Sequence, residues 1–174
     1  MLSKKLKEMM KKEMVVRIII LILVSVGLYN CESPCTRKVS QSQINAVNQT
    51  QLAADIEAID DYLVNNSITA ISDPSGIRYT VQTQGTGAKP CLENTVTVKY
   101  AGKLLSTGAQ FDASTNPVSF PLDNLILGWK IMLPQFQAGS KVTLYIPSGF
   151  AYGNSVVGSI PANSNLIFEI ELIQ

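Results

Sequence analysis

From Ile77 to the C-terminus the chain alternates like a series of β-strands, with one interruption: Asp123-Asn124-Leu125-Ile126-Leu127-Gly128-Trp129. Asp or Asn ahead of an apolar run reads as a helix N-cap, its side chain accepting from an orphan backbone N–H. Pro134 ends that helix after about two turns, since proline has no N–H to donate and its ring clashes with the turn before it. So short a helix is not stable alone, and it cannot bury the chain's only Trp by itself. Something larger has to wrap it, and the strands on either side are the available wrapper. Trp129 is then either the floor of a concave sheet face or plain core filler.

The strands are legible one by one. Ile77, Tyr79 and Val81 alternate with polar residues, as do Val96, Val98 and Tyr100. Gly102 permits a bulge or bend. Leu104-Leu105 lead to a Ser106-Thr107-Gly108 turn, Gln110-Phe111-Asp112 starts another strand, and Val118 to Leu122 runs into the helix. Val142, Leu144 and Ile146 form a strand broken by Pro147-Ser148-Gly149, and Leu166, Phe168, Ile170 and Leu172 form the last. Many short strands and one helix predict an α+β domain: a curved antiparallel sheet of five or six strands wrapped round a short helix. Gly85-Thr86-Gly87 lacks the ending and the helix of a phosphate loop.

Ahead of this domain the pattern is helical. Leu52, Ile56, Ile59 and Leu63 recur at spacings of four, three and four, giving an amphipathic helix between Ile44 and Asn65. Asp55, Glu57, Asp60 and Asp61 lie largely off the stripe and read as a solvated face; adjacent positions such as Asp60-Asp61 do not converge for acid–base work. The stripe is expected to pack on the following domain, with a dimer contact as the alternative.

The N-terminus reads as an address. Lys4, Lys5, Lys7, Lys11, Lys12 and Arg17 precede the apolar run Ile18 to Leu28, which is short for a membrane span and suits a signal-peptide core. Met14 is an alternative start. Leu28-Tyr29-Asn30-Cys31 resembles a bacterial lipobox, which makes Cys31 the lipidated first residue of the mature protein; a conventional secretory signal or an uncleaved anchor is the other reading. The expected division is a signal peptide at 1–30, a polar tether at 31–43, a helical extension at 44–71 and the main domain at 72–174. With Cys31 lipidated, Cys35 and Cys91 remain to form a disulfide in an oxidising compartment, or stay as two thiols.

Composition excludes several chemistries. The chain has no His, which removes the usual general base, the Ser-His-Asp triad and most zinc sites. Residues 1–30 carry six Lys/Arg and two Glu, net +4, so a whole-chain charge of +1 leaves the remainder at −3. A mildly acidic mature chain with no basic run is a poor nucleic-acid binder.

Taken in order, Val96-Thr-Val-Lys-Tyr-Ala-Gly102, Gly108-Ala-Gln-Phe-Asp112, Gly128-Trp129, Gly139-Ser-Lys141, Ile146-Pro147, Ala151-Tyr-Gly153, Ile160-Pro161 and Leu166-Ile-Phe-Glu-Ile-Glu-Leu172 resemble the FKBP-type peptidyl-prolyl cis–trans isomerases. The resemblance spans roughly residues 75–174, and the leader and first helix are more loosely similar to membrane-anchored bacterial members. It implies an enzyme that needs neither metal nor cofactor, acts on proline-containing polypeptides and binds macrolide inhibitors. It implies that Trp129 is the floor for the substrate proline ring, with Phe111, Phe120, Leu125, Ile126 and Phe168 as walls. The Ile126 backbone N–H and the Tyr152 hydroxyl would each hold a substrate carbonyl. Asp112, oriented by the Tyr100 hydroxyl, would face the rotating amide, and Ile160 would line the rim. Core packing is the alternative for the aromatic set, and a turn cap for Asp112.

The chain also departs from that pattern. The basic residue that partners the aspartate in many members has no counterpart, because Asp112 to Pro117 is shortened. Val118 stands where an aromatic wall is usual, the segment from Leu122 to Trp129 is short, and the loop Asn154 to Ser159 carries Val156-Val157. Low to moderate isomerase activity is the expectation, on exported clients, from a lipid-anchored, monomeric protein facing the periplasm. An exported peptide-binding chaperone using the same pocket with little turnover is the rival reading, and a dimer through the first helix a third.

Overall fold

The computed structural model describes residues 35–174; the expected signal peptide and the expected lipidation site Cys31 lie outside the described residues. Six strands form one antiparallel sheet: β1 (Ile71–Ser72), β2 (Arg78–Thr83), β3 (Thr95–Leu104), β4 (Gln110–Pro121), β5 (Lys141–Ile146) and β6 (Leu166–Leu172). Their order across the sheet is β1-β2-β5-β6-β3-β4. Alternation decides which face each residue takes. Val96, Val98 and Leu104 of β3, Val142, Leu144 and Ile146 of β5, and Leu166, Phe168, Ile170 and Leu172 of β6 share one buried core. Trp129, Ile131 and Met132 of the short helix α3 (Leu127–Met132) belong to it too. A Cβ on Gly128 would fall 2.7 Å from Ile146 Cγ2, so only glycine lets α3 come this close to β5.

The central helix begins later than the cap residues predict. Leu122–Asn124 is a 3-10 turn, Leu125 and Ile126 are extended, and the helix starts at Leu127 with no side-chain cap. Asp123 and Asn124 are exposed and do not cap it. The two strands expected around Phe111 and Phe120 are one twelve-residue strand, β4, whose register against β3 shifts twice.

The N-terminal region is two helices, α1 (Gln41–Asn45) and α2 (Gln49–Asn65), separated at Ala46–Asn48. Each has its own cap: Ser40 and Gln43 form a capping box, and Asn48 accepts from the Thr50 and Gln51 N–H groups. Leu52, Ile59 and Leu63 are buried within the chain, Ile59 and Leu63 together with Leu105, Tyr145 and Ile167 from the outer face of the sheet. The expectation of a solvated acidic face fails at one position, Asp55, and at a second, Asp60, the solvated carboxylate is paired. Asp55 is 3 % exposed and accepts from the Ser148 N–H at 2.9 Å and hydroxyl at 2.6 Å. Asp60 takes both arms of the Arg78 guanidinium, at 2.8 and 2.9 Å. A periodicity count cannot detect this, because it scores a carboxylate as solvent-facing whether or not a partner waits for it.

Cys35 and Cys91 form a disulfide with Cα atoms 5.2 Å apart. Beside it the Leu92 N–H donates to the Thr36 carbonyl at 2.7 Å, so the start of the described chain is held against the turn before β3. Among the described residues no helix is long and apolar enough to cross a membrane.

Candidate active site

The site is built on one irregularity. Gly102 pairs with Asp112 and Lys103 with Gln110, so Phe111 is an extra residue opposite a single position. A bulge of this kind turns two consecutive side chains to the same side of the sheet. Phe111 therefore packs edge-to-face on Phe168, ring centroids 5.7 Å apart, while its neighbour Asp112 accepts from the Tyr100 hydroxyl at 2.6 Å. In a regular strand one of the two would face away.

Five rings follow in series, each set edge-on to the next: Phe111 on Phe168, Phe168 on Trp129 at 5.2 Å, Trp129 on Tyr100 at 5.6 Å, and Tyr100 on Phe120 at 6.2 Å. Such pairs place a positive ring edge on a negative ring face and are worth about 0.5–1.5 kcal/mol each beyond burial. Exposure falls along the series toward its middle. Asp112 is exposed, Phe111, Tyr100, Phe120, Val118, Leu125, Ile126 and Tyr152 are half-buried, and Trp129 and Phe168 are 4 % exposed. The arrangement is an apolar ring cluster with the indole at its base and one carboxylate at its edge, where the resemblance implies a substrate basin. The Trp129 Nε1–H is buried with no acceptor among the described residues, a cost of about 1–3 kcal/mol that an apolar ring would avoid.

Ile160 is 5 % exposed and joins the core, as Trp129 and Phe168 do, while its backbone pairs with Val157 in both directions to close the loop. The exposed tip is Val156 and Val157.

Two donors near the ring series have no recorded partner among the described residues: the Ile126 N–H, just before α3, and the Tyr152 hydroxyl. Burial pushes the Tyr152 phenol up, and the Asp112 charge adds to it. The Tyr100 phenol is pushed up to about 12, first by burial, then by its hydrogen bond to Asp112 and the charges of Asp112 and Tyr152. Tyr100, Asp112 and Tyr152 thus act on one another across one opening. Both phenols stay protonated, and remain donors, at neutral pH.

A pH effect follows. Since folding raises the Tyr100 pKa, the unfolded chain loses that proton first, near the ordinary tyrosine value of 10.0. The stabilisation is complete below pH 10 and is lost as pH rises toward about 12. Urea midpoints measured from pH 9 to 12 should fall across that interval, and the Tyr100 absorbance titration should move down in Asp112→Val.

Sequence patterning marked Gly102 as a place for a bulge or bend, and the register shift of β3 against β4 falls there. A Cβ there would lie 2.6 Å from Phe111 Cζ and 2.9 Å from Phe168 Cε1, so the missing side chain is the space the two rings occupy. Gly102→Ala should push Phe111, the less buried ring, into the basin. The expected result is KM for an Xaa-Pro peptide raised about tenfold, with a stability loss of about 1–3 kcal/mol; steady-state kinetics and thermal unfolding measure the two.

Residues 87–173 match the family model described as FKBP-type peptidyl-prolyl cis-trans isomerase. A crystal structure of a peptidyl-prolyl cis-trans isomerase from Pseudomonas syringae aligns with a TM-score of 0.61 and 38 % identity, over 70 % of this chain and 93 % of that one. The chain belongs to the FKBP-type isomerase family. The FKBP-type isomerase FkpA of Aeromonas hydrophila is 38 % identical over 149 residues, which are 79 % of this chain and 55 % of that protein. The outer membrane protein MIP of Legionella longbeachae is 42 % identical over 104 residues, 58 % of this chain and 44 % of that protein. The chain thus spans about half the length of these two relatives. The six-stranded antiparallel sheet round a short helix is the FKBP fold. Among the described residues no group of His, Cys, Asp and Glu is placed to hold a metal ion.

Proposed function

We propose that this protein is a peptidyl-prolyl cis–trans isomerase acting on Xaa-Pro bonds of exported proteins. Rotation about a prolyl amide faces a barrier of about 18–20 kcal/mol because it breaks amide resonance, so uncatalysed exchange takes tens of seconds. No nucleophile and no proton transfer are required, which suits a chain without His. A planar amide is charge-separated and well hydrated, whereas a twisted one is less polar. A water-poor basin therefore penalises the planar ground state relative to the rotated state. Four decades of acceleration need about 5–6 kcal/mol, within reach of desolvation and one or two aimed hydrogen bonds.

In this reading the substrate proline packs against Trp129, Phe111, Val118, Phe120, Leu125 and Phe168. The Ile126 N–H and the Tyr152 hydroxyl hold carbonyls on either side, and Asp112, held by Tyr100, faces the turning amide. Ile160 supports the loop over the basin from below. The observation that carries the reading is the Tyr100–Asp112 hydrogen bond of 2.6 Å at the mouth of the ring series. The test is cis–trans exchange of an Xaa-Pro peptide with the full chain and with Trp129→Leu. Catalysis that is absent from the wild type, or untouched by Trp129→Leu, would sink it. An FKBP-directed macrolide should compete with the peptide for the same basin.

The sequence supports a signal peptide at 1–30, lipid on Cys31, a tether at 31–43, and residues 44–71 as an extension of the 72–174 domain. A disulfide at Cys35–Cys91 suits an oxidising compartment, and MIP is named an outer membrane protein. We read this chain as exported, lipid-anchored and facing the periplasm. Because the α2 stripe is buried inside the chain, it is not left over for a second copy, which supports a monomer.

A further inference from the structure

Asp55 is a buried carboxylate on α2 that the chemistry above does not use, and its partners lie on the catalytic loop. Its Oδ2 accepts both the Ser148 N–H and the Ser148 hydroxyl, while Gln51, one turn earlier, donates to Oδ1 at 2.8 Å. Asn165 completes the knot: its Oδ1 accepts from the Ser148 N–H at 3.0 Å and its Nδ2 donates to the Asp55 carbonyl at 3.3 Å. Ser148 in turn holds the loop that carries Tyr152, since its carbonyl accepts from the Ala151 N–H at 2.9 Å and the Gly153 N–H at 2.8 Å. The Gly153 carbonyl then accepts from the Asn163 N–H at 2.7 Å, tying the far side of the loop to the same point. Tyr152 sits between two residues whose amides both end on Ser148, and Ser148 ends on Asp55.

We infer that Asp55 is a positioning residue for the isomerase site: through Ser148 it sets where the Tyr152 hydroxyl points, which makes α2 part of the catalytic machinery. This rests on the isomerase reading. A hydrogen bond to an ionised acceptor is roughly twice as strong as a neutral one, and two from one residue fix its orientation as well as its place. An amide at position 55 keeps the size and one acceptor oxygen but not the carboxylate's charge, so both Ser148 hydrogen bonds are weakened. The Tyr152 loop should then sample other positions, and a hydroxyl 1 Å out of place loses most of its value in the transition state.

The test uses the full chain carrying Asp55→Asn, Ser148→Ala or both, with the exposed Asp61→Asn of the same helix as control. Asp55→Asn should lower kcat three- to tenfold with KM changed less than twofold, leave the Trp129 emission maximum in place, and raise amide exchange only in residues 148–153. Ser148→Ala should do the same, and the double variant should lose little more than either single one. Unchanged kcat in Asp55→Asn overturns the proposal. So does a loss shared by kcat, KM, Trp129 emission and exchange throughout the sheet, which would make Asp55 a general stabiliser, or a loss equal to that of Asp61→Asn. A wild type that binds peptide without turnover refutes the isomerase reading; localised exchange at 148–153 would still report whether Asp55 holds the loop.

Discussion

Asp112→Val should lower kcat/KM for an Xaa-Pro peptide about 10- to 100-fold, which is about 1.4–2.8 kcal/mol of transition-state stabilisation. The range follows from what the carboxylate can do here. It transfers no proton and forms no bond, so its contribution is electrostatic, and deleting one preorganised polar group costs up to a few kcal/mol. It is exposed and therefore partly screened, which places the effect below that of a fully enclosed group. For the same reason the fold should survive: surface changes usually shift stability by about 0.5 kcal/mol or less. Tyr100 loses its acceptor but is half-exposed and can turn to water. The loss should appear chiefly in kcat, because in the proposed function the carboxylate faces the rotating amide and not the proline ring. Kinetics indistinguishable from wild type would remove Asp112 from the site, and a large drop in melting temperature would show that it was structural.

Opening the Cys35–Cys91 disulfide, by reduction or in Cys91→Ser, should have the largest effect on stability. The bridge spans 56 residues of sequence, a segment holding both N-terminal helices, β1 and β2. In the chain-entropy account a loop of that length restricts the unfolded state by about 4 kcal/mol, and typical measured values are about 2–4. For a chain of this size that corresponds to a melting temperature lower by roughly 10 °C. Folded-state contacts at the site persist without the bond, since Thr36 still has its backbone partner Leu92. Isomerase kinetics at 25 °C should therefore stay near wild type while calorimetry records the loss. A reduced protein that melts with the oxidised one would mean that the denatured chain is already compact there.

The two effects separate because the two features lie on different parts of the fold. The disulfide ties the start of the described chain to the turn ahead of β3, whereas the basin lies among β3, β4, β6 and α3. The long helix α2 belongs to neither, and Asp55 gives it a direct hydrogen bond to the loop after β5.

Much of this was legible in the sequence, and the physical reason is periodicity. Two-residue alternation puts Leu166, Phe168, Ile170 and Leu172 on one face, as it does Val96, Val98 and Tyr100, although α2 also buries Ile167 on the other face. A lone Trp beside a Gly, in a helix too short to stand alone, requires a wrapping sheet. The order of the short motifs identified the family, and with it the residues to inspect. What escaped was whatever depended on a register or on a partner distant in sequence. Asp123 and Asn124 carry the chemistry of a cap, yet the backbone stays extended through Ile126 and the helix starts without one. Ile160 stands next to a proline in a polar loop and is nonetheless buried, because the loop folds back on itself at Val157.

The amino-acid sequence alone determined the sheet, its inward-facing residues and the identity of the rings, since these follow from local alternation and side-chain volume. Only the tertiary structure decided that Phe111 and Asp112 share one side, that Gly102 is the space between two phenyl rings, and that an aspartate on the first long helix is buried against Ser148. Each of those depends on which residue of one strand or helix stops opposite which residue of another. That offset is settled by the packing of the whole chain, and no stretch of residues carries it by itself.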